Sequence, residues 1–549
     1  MKKPQLKDLT LREKVAQMMI VRLSDILMEP ETNYTSIRPA EEAQRLMEEG
    51  QYGGVWLNGN EDINGVNDFY TQNFHYTAET SRELYDWANK LTKYPLLGAN
   101  DIAGANGYEG LSAPTMGLAV GAANNEALTE ELGYCIAMEH KKAGLNWLWD
   151  PVADISGYHC SGVVRGFSNQ ADRAIKHCSA FIRGIQKGGV AACAKHFPGK
   201  DQVEYRDSHI VTTTMQCSYE EWKQTQGAVF QQLIDEGVYS IMNGGRSFPA
   251  VDDRMVNNHY MPSGLSDRVL TKLLKEEMGF KGVIITDDVQ MAAFTACFTG
   301  KELYTQMVNA GNDMLLGVCI EAIDWVMESI AEGLISEARI DDACQRVLDM
   351  KEKLGLFDDN YVNDAIDFDT QRTKDVSLQV MREGLTLVCD HRNLLPVKRP
   401  IKNVTIVAYA HIDDILERLE PMAEAFRKRG ANVTVRGFIE GPTDMHEVAE
   451  NSDLIVYVGY IYFFAPKGPP SFFGDVYWSL RFAFMEGAEK SIGISMGHPC
   501  VHYDFMDDLS PFVDAYMLTP EAQEVFVEGV YGEITFKGTS PAIKYGYYM

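Results

Sequence analysis

Gly189-Val190-Ala191-Ala192-Cys193-Ala194 runs without a break into Lys195-His196-Phe197-Pro198-Gly199-Lys200-Asp201-Gln202-Val203-Glu204-Tyr205-Arg206-Asp207-Ser208-His209. The first six residues read as a buried strand. That strand ends on a cation and an imidazole, and a polar loop follows. The loop carries Asp207 and His209 two residues apart. A carboxylate so close to a histidine can fix its tautomer and raise its basicity, as a proton-transfer group requires. An Asp-x-His alone is more often an accident of a surface loop. The transferable pattern is a buried strand that ends in chemistry-bearing side chains.

The pattern recurs. Short apolar runs occur at Met18–Val21, Gly54–Leu57, Pro95–Gly98, Trp147–Val152, Val190–Cys193, Tyr239–Met242, Gly282–Ile285 and Asp313–Leu316. Stretches of helical period separate most of them, such as Leu128–Ala143 and Thr225–Glu236. Alternating buried strand and amphipathic helix predicts a parallel sheet with helical crossovers. Eight such units fit a (β/α)8 TIM-type barrel with insertions, and an open doubly wound sheet is the alternative. A barrel places chemistry just past its strand C-termini. Asp101 follows the third run, Asp154 and Arg165 the fourth, Lys195 and His196 end the fifth, and Asp287 and Asp288 end the seventh.

A closing helix is expected over Ser336–Leu356, and a further helix near Ser377–Glu383. A second alternation follows, with strands at Val404–Ala408, Val433–Val435, Leu454–Val458 and Ile492–Ser495, and helices at Met422–Arg429 and Tyr477–Lys490. This predicts a smaller three-layer α/β/α sandwich. The expected domains are residues 1–358 (barrel), 359–398 (linker with a helix) and 399–549 (sandwich).

Bulk properties narrow the function. The chain has 549 residues, 45% of them hydrophobic, and a net charge of -28. Binding nucleic acid needs a basic surface, so that class is excluded. No apolar window reaches the ~18 residues of a membrane span. Met1–Asp8 has no apolar segment of the signal-peptide kind, and the ten cysteines form no Cys-x-x-Cys pair. A cytoplasmic protein with free thiols, monomeric or homodimeric, is expected.

Several motifs are decoys. Gly493-Ile494-Ser495-Met496-Gly497 matches Gly-x-Ser-x-Gly, but His498-Pro499 follows where a nucleophile elbow needs a helix. There is no phosphate-cradling glycine loop. His159, His177 and His259 have no metal-ligand spacing, so no metal or cofactor is expected. The second informative stretch is Gly282-Val283-Ile284-Ile285-Thr286-Asp287-Asp288. Side chains alternate along a strand, so one Asp should face the barrel mouth and the other should not. A carboxylate there suits a nucleophile or a stabiliser of an oxocarbenium-like transition state. The second Asp is expected to cap the next helix.

Together these residues resemble glycoside hydrolase family 3, in particular its β-N-acetylglucosaminidase branch. Leu9-Thr10-Leu11-Arg12-Glu13-Lys14-Val15-Ala16-Gln17-Met18-Met19 is similar to the family's opening. Lys195-His196-Phe197-Pro198-Gly199, Asp207-Ser208-His209 and the Asp287-Asp288 strand carry the likeness further. Arg339-Ile340-Asp341, Lys353–Phe357, Asn393–Val397, Ile494–Pro499 and Gly532–Gly538 extend it over nearly the whole chain, in the two-domain form.

The resemblance implies a retaining exo-acting β-N-acetylglucosaminidase that acts on cell-wall or chitin-type fragments, as in peptidoglycan recycling. Asp287 is implied as nucleophile and His209, oriented by Asp207, as acid–base. Asp101, Arg165, Lys195 and His196 are implied to hold the sugar, with water or phosphate as acceptor. The alternatives are another β-glycosidase or phosphorylase, or a catalytically silent carbohydrate-binding protein. Three places depart from the family pattern: Asp101-Ile102-Ala103-Gly104-Ala105-Asn106, Arg165-Gly166-Phe167-Ser168, and Lys200-Asp201 at the loop hinge.

Overall fold

The apolar runs become strands that are buried on both faces. β1 (Met19–Arg22), β2 (Gly54–Trp56), β3 (Leu97–Asn100), β4 (Trp147–Leu148), β5 (Ala191–Phe197), β6 (Ser240–Asn243), β7 (Val283–Asp288) and β8 (Met314–Leu316) close into one barrel. Every pairing is parallel, and the strands follow one another around the ring in chain order. This is the barrel, not the open sheet. The computed structural model describes residues 2–29, 32, 36–57, 61–62, 77–102, 106–112, 115–358, 367–461 and 470–543.

Alternation along each strand decides what fills the barrel. Val283 and Ile285 of β7 point to the axis and meet Ile20, Leu97, Trp147 and Met242, while Ile284 packs outward against the helices. In β5, Ala191 and Cys193 point inward and Ala192 and Ala194 outward. Trp147 and Trp149 stack edge to face at 6.0 Å above this layer and close the axis below the mouth. The helix Leu11–Gln17 opens with a capping box between Thr10 and Glu13, and Ser336 caps the closing helix Glu337–Lys353.

The second domain holds a six-stranded sheet. Its strands are β9 (Thr386–Cys389), β10 (Asn403–Ala410), β11 (Asn432–Arg436), β12 (Leu454–Tyr460), β13 (Ser491–Ser495) and β14 (Phe512–Asp514). The order is β9-β14-β13-β12-β10-β11, parallel except for the β9–β14 pair. Helices Glu420–Lys428 and Pro520–Tyr531 pack together, as do Pro442–Asn451 and Gly474–Ala483. The helix Thr370–Gly384 packs on barrel helices Gly117–Ala123 and Glu126–Lys142 and on Pro520–Tyr531.

The apolar pattern pointed to four of these six strands. β9 is an edge strand with three half-buried residues, and β14 is three residues long, so neither stands out as an apolar run. β9 lies in the stretch read as linker. Ser495 ends β13 fully buried, with its hydroxyl donating to the His498 carbonyl at 2.8 Å, so the Gly-x-Ser-x-Gly match is strand-end structure. Among the described residues no helix is long and apolar enough to cross a membrane, and all ten cysteines are free thiols.

Lys351, on the closing helix, is completely buried, and its ammonium donates to Gln17 Oε1 at 2.7 Å. Burial pushes its pKa down from 10.5 to about 7. The unfolded chain therefore binds an extra proton between pH 7 and pH 10.5, and this residue costs the fold most below about pH 7. Lys351→Met is expected to raise the thermal midpoint at pH 6 by about 2 °C or more. The gain should fade toward pH 10; an equal gain at both pH values would contradict the buried neutral lysine.

Candidate active site

Charged residues at the strand ends and in the segments just past them converge at the C-terminal mouth. Asp101, the first residue past β3, receives Lys195 Nζ on Oδ1 at 2.7 Å and an Arg165 guanidinium nitrogen on Oδ2 at 2.9 Å. Lys195 is fully buried. Burying a cation that deep calls for an anionic partner, and Asp101 supplies it. Burial pulls the Arg165 pKa down, but Asp101 and Asp150 more than offset it. Burial pushes Asp150 itself up to about 7, against the pull of Lys195.

His196 is oriented from behind. Asp154 accepts its backbone N–H at 3.0 Å and its ring Nδ1 at 2.9 Å. A carboxylate only accepts, so the proton sits on Nδ1 and Nε2 is left facing the mouth. Burial lowers the His196 pKa despite Asp154, which favours the neutral ring. Burial would raise Asp154, but Arg246 at 3.5 Å and His196 hold its carboxyl far below the usual range. Arg246 stands three residues past β6, in a short strand that pairs with Thr213–Thr214.

Asp287 extends the inward row of Val283 and Ile285 into the mouth and is 9% exposed. Its Oδ1 accepts the Asp288 N–H at 2.9 Å, and its Oδ2 lies 3.9 Å from His196 Nε2. Asp288 does not share that position. Arg22, at the end of β1 and fully buried, pairs with Asp288 and lies 5.0 Å over the Trp56 ring. Asp288 Oδ1 also accepts the Gln290 N–H at 3.0 Å. The next helix, Ala292–Thr295, starts after Met291 with no side-chain cap. The expectation that Asp288 caps that helix is thus corrected: the cation at the end of β1 takes its carboxylate instead. Burial raises the Asp288 pKa, and Arg22 opposes that.

The Asp-x-His forms a closed unit. Asp207 Oδ1 accepts both the His209 N–H at 2.9 Å and its Nδ1–H at 2.6 Å. His209 Nε2 is therefore the free nitrogen, on a side chain that is 41% exposed. The loop is docked on the turn after β7, where Ala293 N–H donates to the Ser208 carbonyl at 3.3 Å and Ala292 N–H to that of His209 at 3.1 Å. Its neck is closed by Asp201. Oδ1 of Asp201 accepts from Val203 N–H at 2.8 Å, and Oδ2 from Gln216 and Cys217 at 2.5 and 3.2 Å.

The sequence pointed to Asp101, Asp154, Arg165, Lys195, His196 and Asp287, and the structure gathers all six at one mouth. It places Asp207 and His209 on a loop fastened beside the last of them. Arg22, Trp56 and Arg246 went unremarked. Arg22 had a signal, since it is a cation ending a buried run, as Lys195 is. Ala103, Gly104 and Ala105, where the loop after β3 departs from the family pattern, lie outside the described residues. Among the described residues no three His, Cys, Asp or Glu side chains cluster to hold a metal.

Comparison with known proteins identifies the family of the barrel. Residues 10–350 match the glycosyl hydrolase family 3 N terminal domain. A beta-N-acetylglucosaminidase/beta-glucosidase of Cellulomonas fimi is 24% identical over 74% of this chain and 76% of its own length. A beta-hexosaminidase of Methylobacillus flagellatus is 34% identical over 34% of this chain, and the match spans about half of that relative, 52%. Among solved structures, a beta-glucoside phosphorylase, BglX, superposes with a TM-score of 0.82 at 25% identity, covering 99% of this chain and 95% of its own.

The Arg22–Asp288 pair generates a stability test. Removing one partner of a buried ion pair typically costs about 3–5 kcal/mol, because the other charge is stranded. Arg22→Met should therefore lower the thermal midpoint markedly. Arg22→Met combined with Asp288→Leu should recover most of the loss. Additive losses in the double variant would show that the two side chains act independently.

Proposed function

Because the chain belongs to glycosyl hydrolase family 3, we propose that it is a retaining, exo-acting β-N-acetylglucosaminidase that works through a covalent glycosyl-aspartate on Asp287. The carrying observation is the facing of Asp287. It is the one carboxylate of the Asp287–Asp288 pair that continues the inward row of β7, and no cation pairs directly with its oxygens among the described contacts. The 3.9 Å between Asp287 Oδ2 and His196 Nε2 admits a sugar hydroxyl that bonds both.

In the first step Asp287 attacks the anomeric carbon, and His209 Nε2–H protonates the departing glycosidic oxygen. In the second, His209 takes a proton from the incoming acceptor as the Asp287–sugar bond breaks. Asp207 stabilises the imidazolium that donates in the first step and is restored in the second, in the way a carboxylate favours a charged partner; between the two steps the ring is neutral. Asp101, Arg165, Lys195 and His196 hold the sugar hydroxyls and its 2-substituent. The substrate class that fits is a terminal β-linked N-acetylglucosamine of cell-wall or chitin-type fragments, turned over in the cytoplasm. A second reading, transfer to phosphate or from a β-glucoside, is favoured by the likeness to a β-glucoside phosphorylase over the full chain.

Two measurements test this. A 2-fluoro sugar with a good leaving group should label the peptide containing Asp287, and Asp287→Ala should lose turnover and labelling together. Label on Asp288, or normal turnover by Asp287→Ala, would overturn the assignment. His209→Ala should slow poorly activated glycosides by about 10²- to 10⁴-fold, and aryl glycosides with good leaving groups far less. Running both sugars with and without phosphate, and separating free sugar from sugar 1-phosphate, decides the acceptor.

A further inference from the structure

Arg165 ends a short 3-10 turn, Ser161–Arg165, in the loop after β4. The turn opens at the Cys160 carbonyl, which accepts Val163 N–H at 3.0 Å. That same carbonyl accepts from the second domain: His498 Nε2 lies 3.2 Å from it. His498 is fully buried, and its Nδ1 accepts the Cys500 N–H at 3.0 Å. The ring proton therefore sits on Nε2 and donates to Cys160. Burial pushes the His498 pKa down to about 4, so the ring stays neutral through the physiological range.

The other end of the loop is gripped as well. Asn169, four residues past Arg165, makes a two-way bond to the backbone of one residue of the C-terminal segment. Its Nδ2 donates to the Ile543 carbonyl at 2.8 Å, and its Oδ1 accepts Ile543 N–H at 2.9 Å. Ser168 Oγ donates to the Pro541 carbonyl at 2.6 Å, and Asn169 N–H donates to the same oxygen at 3.2 Å. Between these grips the backbone has no room to drift. A Cβ on Gly117 would lie 2.3 Å from the Arg165 carbonyl oxygen, and one on Gly121 would lie 1.7 Å from that of Phe167.

We propose that the second domain is a brace for sugar binding: His498 and Asn169 are positioning residues that fix the two ends of the loop and so aim Arg165 at Asp101. The inference rests on the reading of Arg165 as a sugar-holding group. Neither residue touches the reacting atoms. Neither takes part in a strand pairing of the barrel. What they supply is the placement of one guanidinium. A hydrogen bond to a neutral group is worth about 0.5–1.5 kcal/mol, which corresponds to about two- to tenfold in binding.

The test uses the full chain and an aryl N-acetylglucosaminide, or the aryl glycoside that the substrate panel selects. His498→Leu and Asn169→Ala should each raise KM about five- to tenfold with kcat changed less than about twofold. Their pH–rate profiles should match that of the unaltered protein. His498→Gln, whose amide nitrogen reaches the place of Nε2, should restore KM. A loss of kcat or of folded protein at constant KM would mean that the contacts only stabilise the fold, and would overturn the brace. Arg165→Ala is the reference: a KM unchanged in that variant refutes the sugar-holding reading itself. A KM raised there but unchanged in the two brace variants refutes the brace alone.

Discussion

Closure of the first sheet is the constraint on which the rest depends. In a closed parallel barrel every strand is buried on both faces, and successive side chains alternate between the axis and the helices. The axial row of β7 runs Val283, Ile285, Asp287, and that of β5 runs Ala191, Cys193 and then Lys195. The two apolar layers below are filled by Trp147, Trp149 and their neighbours, so the row has one way to continue, upward into the mouth. The position of Asp287 is thus a consequence of counting by twos from the core.

Charge is the second constraint. The mouth gathers Asp101, Asp150, Asp154, Asp287 and Asp288 within reach of Arg22, Arg165, Lys195, His196 and Arg246. Buried ions are stable only in matched sets. Each Arg and Lys is committed to a carboxylate other than Asp287: Arg22 to Asp288, Lys195 and Arg165 to Asp101, and Arg246 to Asp154, which also holds the neutral His196 ring. The pairing fixes the side chains before any ligand arrives, which is the sense in which an electrostatic site is preorganised. It also leaves the Asp287 oxygens without an Arg or Lys among the described ion pairs.

The barrel strands were legible in the sequence because a strand buried on both faces is an unbroken apolar run. The site residues at their ends were legible for the same reason: a charge after such a run is conspicuous. The second domain was partly legible. Its central strands β10, β12 and β13 read clearly, whereas the half-exposed edge strand β9 and the three-residue β14 did not. Least legible were contacts between distant segments. Nothing near Asn169 announces Ile543, 374 residues away, and nothing near Cys160 announces His498. Such pairs are set by how the two domains pack, and local periodicity carries no trace of that.

The departure at Lys200-Asp201 shows how a local reading can mislead. By pattern alone it disturbs the hinge of the His209 loop. In the fold, the Asp201 carboxylate accepts three backbone N–H groups, one from the outgoing limb at Val203 and two from the returning limb at Gln216 and Cys217. A single carboxylate thereby closes the neck of a loop that spans Gln202 to Met215. Closing the neck shortens the free part of the loop, and loop entropy falls with length. The two functions of the mouth then separate by stiffness. The groups proposed to hold the sugar sit at strand ends or in the turns just past them and are locked by ion pairs. The imidazole proposed to move the proton rides a loop pinned at its neck and at Ala292 and Ala293, with a side chain still open to solvent. A proton donor must present its nitrogen to the glycosidic oxygen, and an exposed imidazole whose backbone is pinned and whose Nδ1 is held by Asp207 has only Nε2 to present.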